Sequence, residues 1–229
     1  HRISELLDHV SYSIYNVKVN PAARIYKAIV GPGFEADFAT LQAAIDWAHL
    51  YDGGIVHIKA GTYVQTDDIT LYSDIILQGE DDDLSVIDFN NTTKEIKIVG
   101  TSGTHKKNVT IRNLGIINSW AADGAVYMDY ADDVTIEDCK FYNNKESSLT
   151  YNFNITINHA GSRIHIRRNR MLSGNYGIDL GAGKDVFITE NYWNQNTQAS
   201  IIATGANHVI IRNNIFEESP SNDAADSCI

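Results

Sequence analysis

Val186-Phe187-Ile188-Thr189-Glu190-Asn191-Tyr192-Trp193 returns 23 residues later as Val209-Ile210-Ile211-Arg212-Asn213-Asn214-Ile215-Phe216. Both stretches read as an apolar, outward, apolar strand, a polar bend, an asparagine and then a large apolar side chain. The same pattern extends toward the N-terminus. Val109-Thr110-Ile111, Val134-Thr135-Ile136 and Ile164-His165-Ile166 precede these two triplets, with successive spacings of 25, 30, 22 and 23 residues. A unit of this length, repeated with loop insertions, is the mark of a solenoid, in which each coil buries its apolar face only against the next. It leaves no room for the helical crossovers that a doubly wound sheet needs.

A second apolar strand precedes each triplet at a steady offset. Val126, Ile178 and Ile201 lie eight residues before Val134, Val186 and Val209, and Ile155 lies nine before Ile164. After each triplet and its bend comes an inward position, held by Leu114, Cys139, Asn169, Asn191 and Asn214. A large apolar residue follows at Ile116, Phe141, Met171, Trp193 and Phe216. Asn169, Asn191 and Asn214 therefore stack on successive rungs about 4.8 Å apart, where each amide can donate to one neighbour and accept from the other. Less regular rungs run over Ile55 to Ile58, Ile69 to Leu77, Val86 to Phe89 and Ile96 to Val99. The pattern predicts an all-β fold, a single-stranded right-handed parallel β-helix of roughly seven coils.

Thr40 followed by Leu41, Ala44, Ile45 and Ala48 reads as an N-cap and an apolar stripe at helical spacing, hence a short capping helix near 41–50. The expected organisation is an extended N-terminal segment over 1–35, the β-helix over 36–219 and a short tail over 220–229.

Composition narrows the function. At 43% hydrophobic and 21% charged, the 229 residues sit in the ordinary globular range. No apolar run is long enough to cross a bilayer, so a soluble chain without membrane insertion is expected. The net charge of −11 argues against nucleic acid, whose binders present a basic face to phosphates. Acidic polysaccharides meet the same obstacle unless a bridging cation such as Ca²⁺ inverts the local sign. The two cysteines give no disulfide framework, and Cys139 reads as a buried thiol. A start at His1 rather than Met is compatible with export. Sequons at Asn91, Asn108 and Asn154 match the density expected from so much Asn and Thr.

The run Asp37-Phe38-Ala39-Thr40-Leu41-Gln42-Ala43-Ala44-Ile45-Asp46, followed by Gly53-Gly54, Gly61-Thr62-Tyr63 and Gln78-Gly79-Glu80, resembles the N-terminal segment of the pectin-lyase-like superfamily. That superfamily takes in pectate lyases, pectin methylesterases, polygalacturonases, epimerases and phage tailspikes. The resemblance implies the same β-helix, but one fold of this kind hosts unrelated chemistries. Thr110 to Gly115 and Gly124-Ala125-Val126 are similar to pectin methylesterases, whose catalytic residues are not carried over. Gly124 stands where those enzymes have Gln, and Glu146-Ser147-Ser148-Leu149-Thr150-Tyr151 stands in place of their Gln-Asp-Thr-Leu-Tyr. The motifs of polygalacturonases and pectate lyases are missing as well.

Candidate site residues then come from the outward positions. Tyr127, Thr156, Asp179 and Ile202 form one column of the preceding strand, and Asp129, Asn158, Gly181 and Thr204 the next. Asp129 and Asp179 are the best carboxylate pair, but two rungs of separation, about 10 Å, exceed what glycosidases use. With Tyr127 and Asn158 they suit contacts to sugar hydroxyls, and this face lies beside an inserted loop near 142–153 bearing Tyr142, Tyr151 and Phe153. On the main strands, Glu137 falls between Arg112 and Arg167 as a charge ladder, with His165 beside it lacking a carboxylate orienter. His165 and Arg167 complete the ligand-binding candidates. Glu80-Asp81-Asp82-Asp83 is a solvated turn whose oxygens could hold Ca²⁺, without the glycine spacing of a dedicated loop. No other metal, phosphate or nucleophile-elbow motif is present, and no cofactor is implied.

The expected function is a secreted or surface β-helix that binds a polysaccharide on its exposed strands and, if an enzyme, cleaves it as a polysaccharide lyase or glycoside hydrolase. The alternative is a non-catalytic structural module, a virion spike or extracellular filament unit. The location is expected to be extracellular, at a cell surface or on a virion. A homo-oligomer, either a trimer or a filament, is expected because strand-like residues 11–30 and the end of the last coil offer pairing edges.

Overall fold

The computed structural model describes residues 27–31, 36–145, 152–159, 161–196 and 199–217. Segment 11–26, Tyr151, the tail 220–229 and Cys228 lie outside them. The described strands wind into about seven turns and three parallel sheets. The eight-stranded sheet begins with Lys27–Val30 and Gly54–Ile58 and ends with Lys184–Thr189 and Asn207–Arg212. The six-stranded sheet holds Ile69–Thr70, Ile96–Val99, Val126–Asp129, Phe153–Ile157, Tyr176–Asp179 and Ile201–Ile202. The seven-stranded sheet runs from Gly61–Val64 to Ile215–Glu217.

Three details depart from the sequence expectation. The residue after each bend belongs to a third strand, so a coil has three sides rather than two. Ile69 to Leu77 is two strands in different sheets, Ile69–Thr70 and Ile75–Gly79. Lys27–Val30 pairs in parallel with Ile55 to Ile58, so the β-helix starts inside the segment assigned to an extended leader.

Five successive coils turn after the eight-stranded sheet on a single non-glycine residue in the left-handed region. Asn113, Asp138, Arg168, Glu190 and Asn213, with φ of 53–59°, occupy the same corner after the eight-stranded sheet. Asp74, Asn108, Asp133, Arg163, Asp185 and His208 form a second left-handed column just before the inward valines and isoleucines. Asn and Asp tolerate this conformation because their short polar side chains bond locally, whereas Arg and Glu do so less readily. The stacked coils supply partners for them. Asn108 donates to Asp74 at 2.8 Å, Arg163 forks onto Asp133, and His208 meets Asp185 at 2.6 Å.

Inside, like packs on like. Phe141, Met171, Trp193 and Phe216 lie in register, and the rings of Trp193 and Phe216 stack 4.7 Å apart. Asn169, Asn191 and Asn214 form the inward ladder, but each amide spans more than its neighbour. Asn191 Oδ1 accepts from the backbone N–H and the Nδ2 of Asn169, while its Nδ2 donates to Ile166 O at 2.8 Å and Asn214 Oδ1 at 3.2 Å. A second inward set joins Asn144 Nδ2 to Asn154 Oδ1 at 3.1 Å. Asn154, fully buried in this set, cannot carry a glycan.

The helix Leu41–Leu50 starts at Thr40, whose hydroxyl accepts from Ala43 N at 3.3 Å. It buries Leu41, Ala44, Ile45 and Ala48 against the first strands and closes that end of the core.

Candidate functional site

The six-stranded sheet turns a polar face outward. Parallel register aligns Lys97 with Tyr127, Tyr127 with Thr156, and Thr156 with Asp179, one residue per rung. Asp129 sits two residues beyond Tyr127, on the same side of its strand because side chains alternate. Two fixed contacts organise this surface. Asn158 Nδ2 donates to the Tyr127 hydroxyl at 2.7 Å, and Asp129 Oδ1 accepts from the His159 backbone at 3.2 Å while lying 2.9 Å from His159 Nδ1. Tyr130, at the corner, stacks on His159 with centroids 5.2 Å apart. Burial, and after it the negative field of Asp129, raises the Tyr127 phenol above its ordinary pKa.

Sequence reasoning missed Glu95. Strand alternation places it on the side of Lys97, yet it is only 5% exposed. One carboxylate oxygen lies 3.4 Å from Lys97 Nζ, and the other has no hydrogen-bond partner among the described residues. Burial outweighs the lysine and raises the Glu95 carboxyl to about 7, so a substantial fraction is protonated near neutrality. Lys97 bonds Asp68 more closely, at 2.7 Å, which raises the ammonium's pKa. The Glu95-Ile96-Lys97-Ile98 alternation was visible in the sequence, but nothing local marks which outward residue a neighbouring coil covers. Thr156, expected at the surface, is 7% exposed with its hydroxyl unpartnered. Gly124 allows this close cover: its φ is +115°, and a Cβ there would stand 3.1 Å from Thr156 Oγ1.

The other candidates separate. Asp179 accepts from Gly181 N at 3.0 Å and Asp129 is held by His159, so the two carboxylates face different partners two rungs apart. His165 and Arg167 stand on the eight-stranded sheet. His165 stacks on Phe187 at 4.7 Å, and burial lowers its pKa. Glu137 is gripped by Arg167 and Arg168, each at 2.8 Å, while Arg112 turns away to Gln78, so the expected ladder is one-sided. Phe153, placed in the inserted loop by the sequence, opens the strand Phe153–Ile157 and stacks on Tyr176 at 5.0 Å. Tyr142 is 45% exposed. The carboxylates of Asp81, Asp82 and Asp83 converge. Lys140 and Arg170 already neutralise the last two, at 2.6 Å and 2.7 Å from Asp83 and 2.9 Å from Asp82. No described helix is long and apolar enough to cross a membrane.

Residues 53–216 match a family model described as right handed beta helix region. No curated protein matches the sequence. Among solved structures, a candidate glycosyl hydrolase from Parabacteroides merdae covers 77% of this chain and 88% of its own, at 14% identity and a TM-score of 0.56. The AlgE6 A-module, a mannuronan C-5 epimerase of Azotobacter vinelandii, covers 76% of this chain and 64% of its own, at 15% identity and a TM-score of 0.39. The tailspike of E. coli bacteriophage HK620, solved with a pentasaccharide, covers 86% of this chain and 49% of its own, at 16% identity and a TM-score of 0.37. This chain thus spans less than two thirds of the epimerase module and about half of the tailspike. At such identities the likeness is one of fold. With three parallel sheets wound into one solenoid and a family match running over residues 53–216, the chain belongs to the right-handed β-helix family and has the pectin-lyase-like fold.

Proposed function

We propose that the protein binds a polysaccharide along the outward face of the six-stranded sheet, at a cell surface, on a virion or in the extracellular space. The observation that carries this reading is the row Lys97, Tyr127, Thr156 and Asp179, flanked by Asn158 and by Asp129 with His159. Parallel strands hold these groups at regular rung intervals, so a chain of repeating sugars meets hydroxyl, amide and carboxylate groups that are already positioned. Such preorganisation lowers the ordering cost of binding.

The test is a panel of neutral and acidic polysaccharides, assayed for binding by calorimetry and for release of reducing or unsaturated ends, with and without Ca²⁺. Tyr127→Ala and Asp179→Ala should weaken binding of any recognised glycan. If both variants bind like the parent, the face is misassigned.

A second reading is a structural module that assembles with copies of itself. It is supported by the last described rung, where Ile210 and Ile215 are 40% and 56% exposed on strands with a free edge among the described residues. Light scattering separates the two, since a mass of 25.4 kDa that persists on concentration excludes self-assembly.

A further inference from the structure

The charge and the unpartnered atoms of the six-stranded face discriminate between classes of polysaccharide. Asp68, Asp123, Asp129 and Asp179 gather on or beside it. The cations nearest to them are already engaged: Lys97 sits on Asp68 and Glu95, and Lys94 stands 4.0 Å from Asp68. A uronate carboxylate laid along this row would meet the carboxylates of Asp129 and Asp179 on two of its rungs, and at Lys97 it would have to displace an internal ion pair to find a cation. Like-charge juxtaposition of this kind disfavours such partners.

Two polar side chains, by contrast, are more than nine-tenths buried, and each holds one atom without a hydrogen-bond partner among the described residues. Glu95 Oε2 and Thr156 Oγ1 lie on the outward side of the rungs before and after Tyr127. A buried polar atom without a hydrogen bond is uncommon and marks a place where something else can supply one. With its carboxyl raised to about 7, Glu95 can donate as well as accept, and a threonine hydroxyl does both. Groups of that kind match the hydroxyls of an uncharged sugar.

We infer that this face takes an uncharged polysaccharide and rejects polyuronates, with Glu95 and Thr156 meeting sugar hydroxyls on either side of Tyr127. The inference rests on the proposed function and narrows it to a substrate class.

The experiment compares uncharged polysaccharides, such as glucans and mannans, with polygalacturonate and alginate, by affinity electrophoresis and calorimetry in EDTA and again with Ca²⁺. An uncharged glycan should bind at least about tenfold more tightly than either polyuronate in both conditions, a difference of about 1.4 kcal/mol. Glu95→Ala should weaken that binding about tenfold, while Glu95→Gln, which keeps a donor and an acceptor, should stay within about twofold. A melt of each variant, compared with the parent, verifies folding. Preference for a polyuronate, in EDTA or only with Ca²⁺, overturns the inference and leaves the polysaccharide reading standing. Parental binding by a folded Glu95→Ala also overturns it. Binding of no glycan at all overturns both.

Discussion

Asn191→Ala tests the inward ladder most directly. Asn191 is 1% exposed and makes four hydrogen bonds through its side-chain amide. Two of the four partners have a second bond to fall back on. Asn169 Nδ2 still donates to Ile136 O at 2.9 Å, and Asn214 Oδ1 still accepts from the Asn191 backbone at 2.8 Å. The other two lose the only side-chain bond they have. Asn169 N–H is then left without a partner in a dry interior, at about 1–3 kcal/mol, while Ile166 C=O, in parallel register with the next coil, keeps its ladder bond. Any cost of the vacated volume adds to this. For a chain of this size, that lowers the melting temperature by roughly 2–12 °C. Asn158→Ala is the control. Its amide donates to the Tyr127 hydroxyl at 2.7 Å on the outside of the coil, where it is exposed and water can replace the partner. Circular dichroism melts of both variants, with hydrogen exchange at Asn169, measure the difference. A shift for Asn191→Ala no larger than that for Asn158→Ala would refute the reasoning.

Glu95 gives stability a pH dependence of definite sign. Its folded-state pKa, about 7, lies above the ordinary glutamate value of 4.5, so the folded protein holds this proton more tightly than the unfolded chain. Stability is therefore fully present below about pH 4.5 and falls by about 3 kcal/mol as pH rises to 7 and above. Glu95→Gln should abolish that component in urea titrations at pH 5 and pH 8; an unchanged slope counts against it. Gly124→Ala should cost about 1–3 kcal/mol, because alanine resists a φ of +115° and its Cβ would crowd Thr156. A neutral or stabilising result would show that the backbone relaxes there. Cys139 is fully buried, and burial pushes its thiol pKa well up, so iodoacetamide should leave it unmodified in the native protein; native labelling detected by mass spectrometry contradicts this placement.

The fold was largely legible because a solenoid writes its core into the sequence at short range. Val109, Val134, Ile164, Val186 and Val209 point inward in successive coils, and each needs only the next coil to be buried, so spacing alone predicts their neighbours. The three inward asparagines were legible for the same reason. The corners were harder. Arg163, Arg168 and Glu190 adopt left-handed backbone that their residue types do not favour, and Asp133, Asp138 and the stacked neighbouring coils stabilise side chains placed there. No local signal marks such residues as turn-formers. The third side of each coil was hidden in strands of three residues, such as Lys140–Tyr142 and Arg170–Leu172, which are too short to show alternation.

The sequence by itself determined the parallel solenoid, its period, its capping helix and the columns of outward residues, because all of these follow from alternation and from contacts between adjacent coils. Only the tertiary structure decided which outward residues are covered and which are free. Glu95 and Thr156 look like ordinary surface positions in the strand pattern, yet neighbouring coils bury them and leave each with an unpartnered atom. Arg112 and Arg167 look equivalent beside Glu137, but Gln78 captures the first and Glu137 the second. Desolvation and pairing depend on how far each neighbouring side chain reaches across the coil stack, a quantity set by three-dimensional packing and absent from any one strand's sequence.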